Sequence, residues 1–92
     1  EDPTQRMDVA KPVVTVGRGQ ESDLLIDHNT VSRQHAVIKL EEGEFRLYDM
    51  GSTNGTFVNG VRISDVQEIK AGDLLHFGTK AYRVVSSIRR RR

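Results

Sequence analysis

An all-β fold, an antiparallel β-sandwich, is what this sequence predicts, and three observations predict it. Short β-branched segments recur along the 92 residues, and glycine-containing turns lie between most of them. No stretch has the ~10 residues of 3.6-residue periodicity that a packed helix needs. Taken in order, residues 1–11 (EDPTQRMDVAK) are polar, show no periodicity and read as a flexible lead-in. From Pro12 onward, PVVTV (12–16), DLLID (23–27), HAVIKL (35–40), EFRLYD (44–49), TFV (56–58), VRI (61–63), DLLHF (73–77) and KAYRVVSS (80–87) read as strands. In EFRLYD, Phe45 and Leu47 share one face while Arg46 and Tyr48 share the other, the alternation of a half-buried strand. Asn59-Gly60, between Val58 and Val61, predicts a tight hairpin because both central residues of such a turn need positive φ. Glu41-Glu42-Gly43 reads as a longer hairpin loop, and DVQEIKAG (65–72) has room for a single helical turn at most.

Composition narrows the class of function. With 36% hydrophobic residues the chain can build one modest core, hence one domain over residues 12–88. The 14 basic and 13 acidic residues nearly balance, but Arg89–Arg92 hold four of the positive charges as a terminal basic tail. Residues 1–88 therefore carry 10 basic against 13 acidic side chains, a net −3, and are no general polyanion binder. The tail reads as the solvated start of a linker, a nuclear-import or nucleic-acid patch, or a contact for an acidic partner. The absence of cysteine excludes disulfides, zinc ribbons and thiol catalysis, and nothing else in the sequence calls for a metal or a cofactor. Apolar runs of four residues or fewer exclude a helical membrane span. The start at Glu1, without a methionine, reads as an excised fragment, with cytosol or nucleus as the default location.

The connections carry the chemistry. Residues 17–22 (GRGQES), 28–34 (HNTVSRQ) and 50–55 (MGSTNG) are longer than hairpins need and rich in Gly, Ser, Thr and Asn. They offer Arg18 between two glycines, then Thr30, Ser32 and Arg33, then Ser52, Thr53 and Asn54. No acidic residue lies between Asp27 and Glu41, and no charged one between positions 50 and 60. Such an inventory suits a compact dianion. Arginine presents a planar fork of donors to phosphate oxygens, serine adds a hydroxyl, and glycine lets backbone N–H groups approach. An asparagine amide can pair with both polar groups of a bound peptide backbone.

Several blocks in a fixed order sharpen this reading. Val16-Gly17-Arg18, then Val31 to Ala36 (VSRQHA), then Asp49 to Gly60 (DMGSTNGTFVNG), then Ala71-Gly72-Asp73 and Phe77-Gly78, resemble the forkhead-associated (FHA) domain family over roughly residues 13–86. The resemblance implies a β-sandwich whose loops at one end grip a phosphothreonine peptide for signalling or complex assembly, without catalysis. It implies that Arg18 and Ser32 bind phosphate oxygens, and that Arg33 contacts the phosphate or the adjacent peptide. Thr53 and Asn54 would line the far side, Asn54 holding the peptide main chain, with Gly17 and His35 as structural support. Threonine would be preferred over serine because its methyl fills a small niche that Thr53 helps to form. The family usually has a strand well before the Gly-Arg block, which residues 1–11 do not resemble. That strand is absent, or the fragment begins late, or another molecule completes the sheet edge.

Other readings stay open on the sequence. The sandwich surface could serve a phosphate-independent partner or self-association, through an open sheet edge or through a phosphorylated Thr4 offered to a second copy. The terminal arginines could tether nucleic acid. A Ser32–His35 nucleophile and base would lack an orienting acid and a nucleophile elbow, which argues against an enzyme. Thr56 braces the 50–55 loop or merely occupies a strand, and Asp73 caps a turn. His28 is expected to be exposed, and His76 has no evident partner.

Overall fold

The structure is a computed structural model and describes residues 4–86. Residues 87 and 88 and the basic run Arg89–Arg92 lie outside the described residues. Ten strands are present among those described: β1 (Gln5–Val9), β2 (Val13–Gly17), β3 (Leu24–Leu25), β4 (Ala36–Glu41), β5 (Glu44–Asp49), β6 (Thr56–Val58), β7 (Val61–Arg62), β8 (Val66–Ile69), β9 (Leu74–Phe77) and β10 (Lys80–Ser86). They form two five-stranded sheets, one in the order β1-β10-β9-β6-β7 and the other β3-β2-β4-β5-β8.

Alternation decides which side chains meet between the sheets. In the second sheet Val14 lies beside Ile38 and Ile38 beside Leu47, and all three are buried. The first sheet answers with Met7, Val9, Val58, Leu75, Phe77, Tyr82 and Val84. Phe77 has no exposed surface and packs its ring 6.0 Å from that of Tyr82. The alternate residues of the second sheet, among them Thr15, Val37, Lys39, Arg46 and Tyr48, face away from this core.

The sandwich expected from the sequence is present, with four differences. Its sheets are mixed rather than wholly antiparallel, because β1 pairs with β10 and β2 with β3 in parallel. Residues 5–9 are not a flexible lead-in but the edge strand β1, which buries Met7 and Val9 and completes the first sheet from within the same chain. Only two apolar residues alternate in QRMDV, and its partner lies 77 positions away, so no local turn announces it. Residues 65–72, with room for one helical turn at most and no strand expected there, carry strand β8, held to β5 through Phe45–Ile69 and Tyr48–Val66 pairs. The β4–β5 loop is a two-residue turn, Glu42-Gly43, with positive φ at both positions. Asn59-Gly60 makes the same kind of turn, as expected.

Met7 tests the place of β1 in the fold. Its side chain is 2% exposed, so Met7→Ala should lower unfolding stability by about 2–5 kcal/mol in a urea titration. An unchanged midpoint would return residues 1–11 to a loose extension.

Candidate functional site

Three long connections come together at one end of the sandwich: 18–23 between β2 and β3, 26–35 between β3 and β4, and 50–55 between β5 and β6. The two-residue β9–β10 turn, Gly78-Thr79, joins them. Main-chain hydrogen bonds zip the first loop to the second. The N–H of Arg18 donates to the Ser32 carbonyl at 2.9 Å and that of Gly19 to the Arg33 carbonyl at 3.1 Å. The Nε of Arg18 donates to the Val31 carbonyl at 2.9 Å, which aims the guanidinium and leaves its two terminal nitrogens unspent. Glycine at 17 is dictated by this closeness, since a Cβ there would stand 2.0 Å from the Arg33 carbonyl oxygen.

The second loop is tied to the third through Ser32 and His35. The N–H of Thr53 donates to Ser32 Oγ at 3.1 Å, so the serine hydroxyl proton remains for a ligand. The N–H of Ser32 donates to His35 Nδ1 at 3.0 Å, and on the far side of the ring Nε2 lies 2.9 Å from the Gly55 carbonyl. A backbone N–H needs an acceptor and a carbonyl needs a donor, so the imidazole is neutral with its proton on Nε2. His35 has no exposed surface and meets the Phe77 ring edge-on at 5.8 Å. Burial holds its pKa below the ordinary histidine value, against smaller opposing effects of the Gly55 carbonyl and the Asp49 charge.

Asp49 fixes the third loop. Its carboxylate accepts the Ser52 hydroxyl at 2.6 Å, the Thr56 hydroxyl at 2.7 Å, and the N–H groups of Gly51 and Ser52 at 3.1 and 3.2 Å. Burial pushes the carboxyl pKa up, but these four donors outweigh it and hold the group below its ordinary value. Thr56 thus both occupies β6 and braces the loop. Asp49 belongs to the quoted sequence block but has no role assigned from sequence; a Ser and a Thr three and seven positions after an Asp were the available signal.

Asn54 is held from another direction. Its Nδ2 donates to the Thr30 carbonyl at 2.9 Å, so the amide orientation is set, and Oδ1 and one N–H face outward. Thr30 is itself pinned: its hydroxyl lies 2.8 Å from His28 Nδ1 and 3.1 Å from the Thr79 hydroxyl, and accepts the Thr79 N–H at 3.2 Å. Gly78 packs so tightly here that a Cβ would fall 2.4 Å from the Thr30 carbonyl oxygen. His28 is therefore half-buried and bonded rather than idle, and His76 has the edge of Phe57 against it at 6.5 Å. Asp73 accepts the Lys70 N–H at 2.9 Å, the turn cap expected of it.

Of the residues singled out from sequence, Arg18, Arg33, Thr53 and Asn54 are exposed at this end, Ser32 is half-buried among them, and Gly17 and His35 lie beneath. Among the described residues no cluster of His, Asp and Glu has the geometry to hold a metal ion.

His35 gives the fold a signature in pH. The unfolded chain binds a proton at this histidine near pH 6.5, whereas the folded chain resists it to lower pH. Below about pH 6.5 the unfolded state therefore binds more protons, and stability falls with pH until the folded value is reached. The slope is at most about 1.4 kcal/mol per pH unit. Urea midpoints compared at about pH 7.5 and 5.5 should show this drop in the native chain and a flatter profile in His35→Gln; equal slopes in both would refute the assignment.

Comparison with known proteins follows the same outline. The sequence pattern of the FHA domain matches residues 14–78. The chain is 44% identical over 68 residues to the oxoglutarate dehydrogenase inhibitor of Corynebacterium glutamicum, covering 74% of this chain and 47% of that protein. It is 43% identical over 68 residues to the glycogen accumulation regulator GarA of Mycolicibacterium smegmatis, covering 74% and 42%. The chain thus spans about half the length of these relatives. Among solved structures, one described as a study of phosphothreonine-dependent FHA domain interactions superposes with a TM-score of 0.71 at 30% identity, covering 77% of this chain and 73% of that one. The N-terminal FHA domain of Rad53p from S. cerevisiae, in complex with a phosphothreonine peptide, gives a TM-score of 0.63 at 34% identity, covering 68% and 53%. Match, fold and loop architecture agree: this chain belongs to the FHA domain family.

Proposed function

We propose that this domain is a non-catalytic module that docks phosphothreonine-containing proteins, with the phosphate held by Arg18, Ser32 and Arg33 and the peptide main chain by Asn54 beside Thr53. The observation that carries this reading is the main-chain zipper between residues 17–19 and 31–33. It ties Arg18, two of whose guanidinium nitrogens are unspent, to the main chain of Val31 and Ser32, and the Ser32 hydroxyl already accepts from Thr53. Recognition of phosphorylated segments by clustered arginine is a mode of which FHA domains are themselves a stock example. The regulators GarA and oxoglutarate dehydrogenase inhibitor, similar over this segment, support a regulatory setting.

The ligand makes three or four charge-assisted hydrogen bonds, each worth ~1.5–3 kcal/mol before ordering costs. The sum lies near the ~8 kcal/mol of a micromolar, reversible complex. A serine ligand lacks the methyl that threonine buries, a difference of about 1–3 kcal/mol in a shaped pocket.

Two titrations test the assignment. Arg18→Ala should weaken a phosphothreonine peptide by about 2–3 kcal/mol in calorimetry while the unfolding midpoint stays put; native-like affinity would remove the phosphate role. Asn54→Ala should weaken the same peptide about tenfold, the worth of one well-formed hydrogen bond with its ordering, yet leave free phosphothreonine binding unaltered. Equal losses for both ligands would place Asn54 in the phosphate contact instead.

A further inference from the structure

The ligand loops do not end at the phosphate. On the outer face of the second sheet they continue into an open groove of about 390 Å³. Its floor is Val37, which the strand register turns away from the core, between Thr15 of β2 and Tyr48 of β5. Tyr48 and Met50 form one wall, and Glu21 and Gln34 stand at the end nearest the loops. Lys39 bounds the far end, its Nζ 5.3 Å above the Tyr48 ring.

Three features make this more than an irregular surface. Glu21 belongs to the same loop as Arg18, Gln34 follows Arg33, and Met50 precedes Gly51 and Ser52, so each of the three long connections also contributes to the groove or its rim. Met50 is 53% exposed, an unbranched and adaptable apolar side chain at the rim of a site whose neighbours are otherwise polar. The groove also lies on the opposite flank from Asn54, which is tied through Thr30 to Gly78-Thr79 of the first sheet. A peptide held by Asn54 on one side of its phosphothreonine therefore has its other side directed over the groove.

We propose that this groove is a second subsite for the phosphorylated partner, taking one apolar side chain from the flank of the phosphothreonine that Asn54 does not hold. The inference rests on the phosphothreonine reading above and deepens it. Phosphate and main chain are common to every phosphothreonine segment, so an apolar contact at a fixed offset supplies the selectivity between partners. Several residues of extended chain suffice to reach it, since each advances ~3.3 Å.

The probe is a pool of phosphothreonine peptides with about seven randomised residues on each side, selected on the intact chain. The selected peptides are then titrated at full length and as cores of about five residues. One apolar position should be enriched at a fixed offset on a single flank, and the full-length peptides should bind about tenfold more tightly than their cores. That advantage should vanish in Met50→Gln and in the isosteric Val37→Thr, with core affinity unchanged in both. Enrichment nowhere outside the core, or an advantage that survives both substitutions, overturns the subsite. So does a concentration-dependent dimer of the unliganded chain that Met50→Gln abolishes, which would give the groove to a second copy. Cores that bind equally well without phosphate would instead overturn the functional reading itself, a result distinguishable from loss of the flank contact alone.

Discussion

A buried imidazole with both nitrogens engaged by main chain decides where the ligand loops stand. His35 accepts from the Ser32 N–H and donates to the Gly55 carbonyl, so one ring spans two loops that are some twenty residues apart in sequence. The ring can do this only while neutral, and its burial against Phe77 keeps it so. Asp49 complements it from the other end of the third loop, gathering two hydroxyls and two N–H groups on one carboxylate. His35 has no exposed surface, and Asp49 is half-buried. Together they replace the flexibility expected of glycine- and serine-rich connections with a fixed arrangement, which lowers the ordering cost of binding.

The side chains proposed to hold phosphate and main chain hang from different supports. Arg18 and Ser32 are fastened to β2, β4 and the third loop, all elements on or leading from the second sheet. Asn54 is fastened through Thr30 to the Gly78-Thr79 turn of the first sheet. The gap between the sheets' ends is thus bridged by the site itself. The shared core that holds Phe77 and Tyr82 of the first sheet with Ile38 and Leu47 of the second sets the distance between Arg18 and Ser32 on one side and Asn54 on the other.

Much of this was legible in the sequence because it is written in local chemistry. The Asn59-Gly60 turn, the alternation of Phe45 and Leu47, and the Gly-Arg, Ser-Arg and Thr-Asn pairs in long loops each follow from a few adjacent residues. What was not legible depends on partners distant in the chain. β1 looks like a tail until Met7 and Val9 are set against β10, and β8 looks like a turn until Val66 and Ile69 find β5. The roles of Thr30 and Val31 were hidden for a different reason: they act through their carbonyl groups, which every residue possesses. His28 and Thr79 likewise acquire meaning only once the fold brings them to Thr30.

The parallel pairing of β1 with β10 has a geometric corollary. Gln5 lies across from Tyr82, close to where β10 leaves the Gly78-Thr79 turn, whereas Val9 lies across from Ser86 at the far pole of the sandwich. Chain entering at β1 therefore arrives beside the ligand loops, and chain departing from β10 leaves from the pole opposite. An attachment made through the carboxyl-terminal side starts from the pole away from these loops, while bulk added ahead of β1 starts beside them.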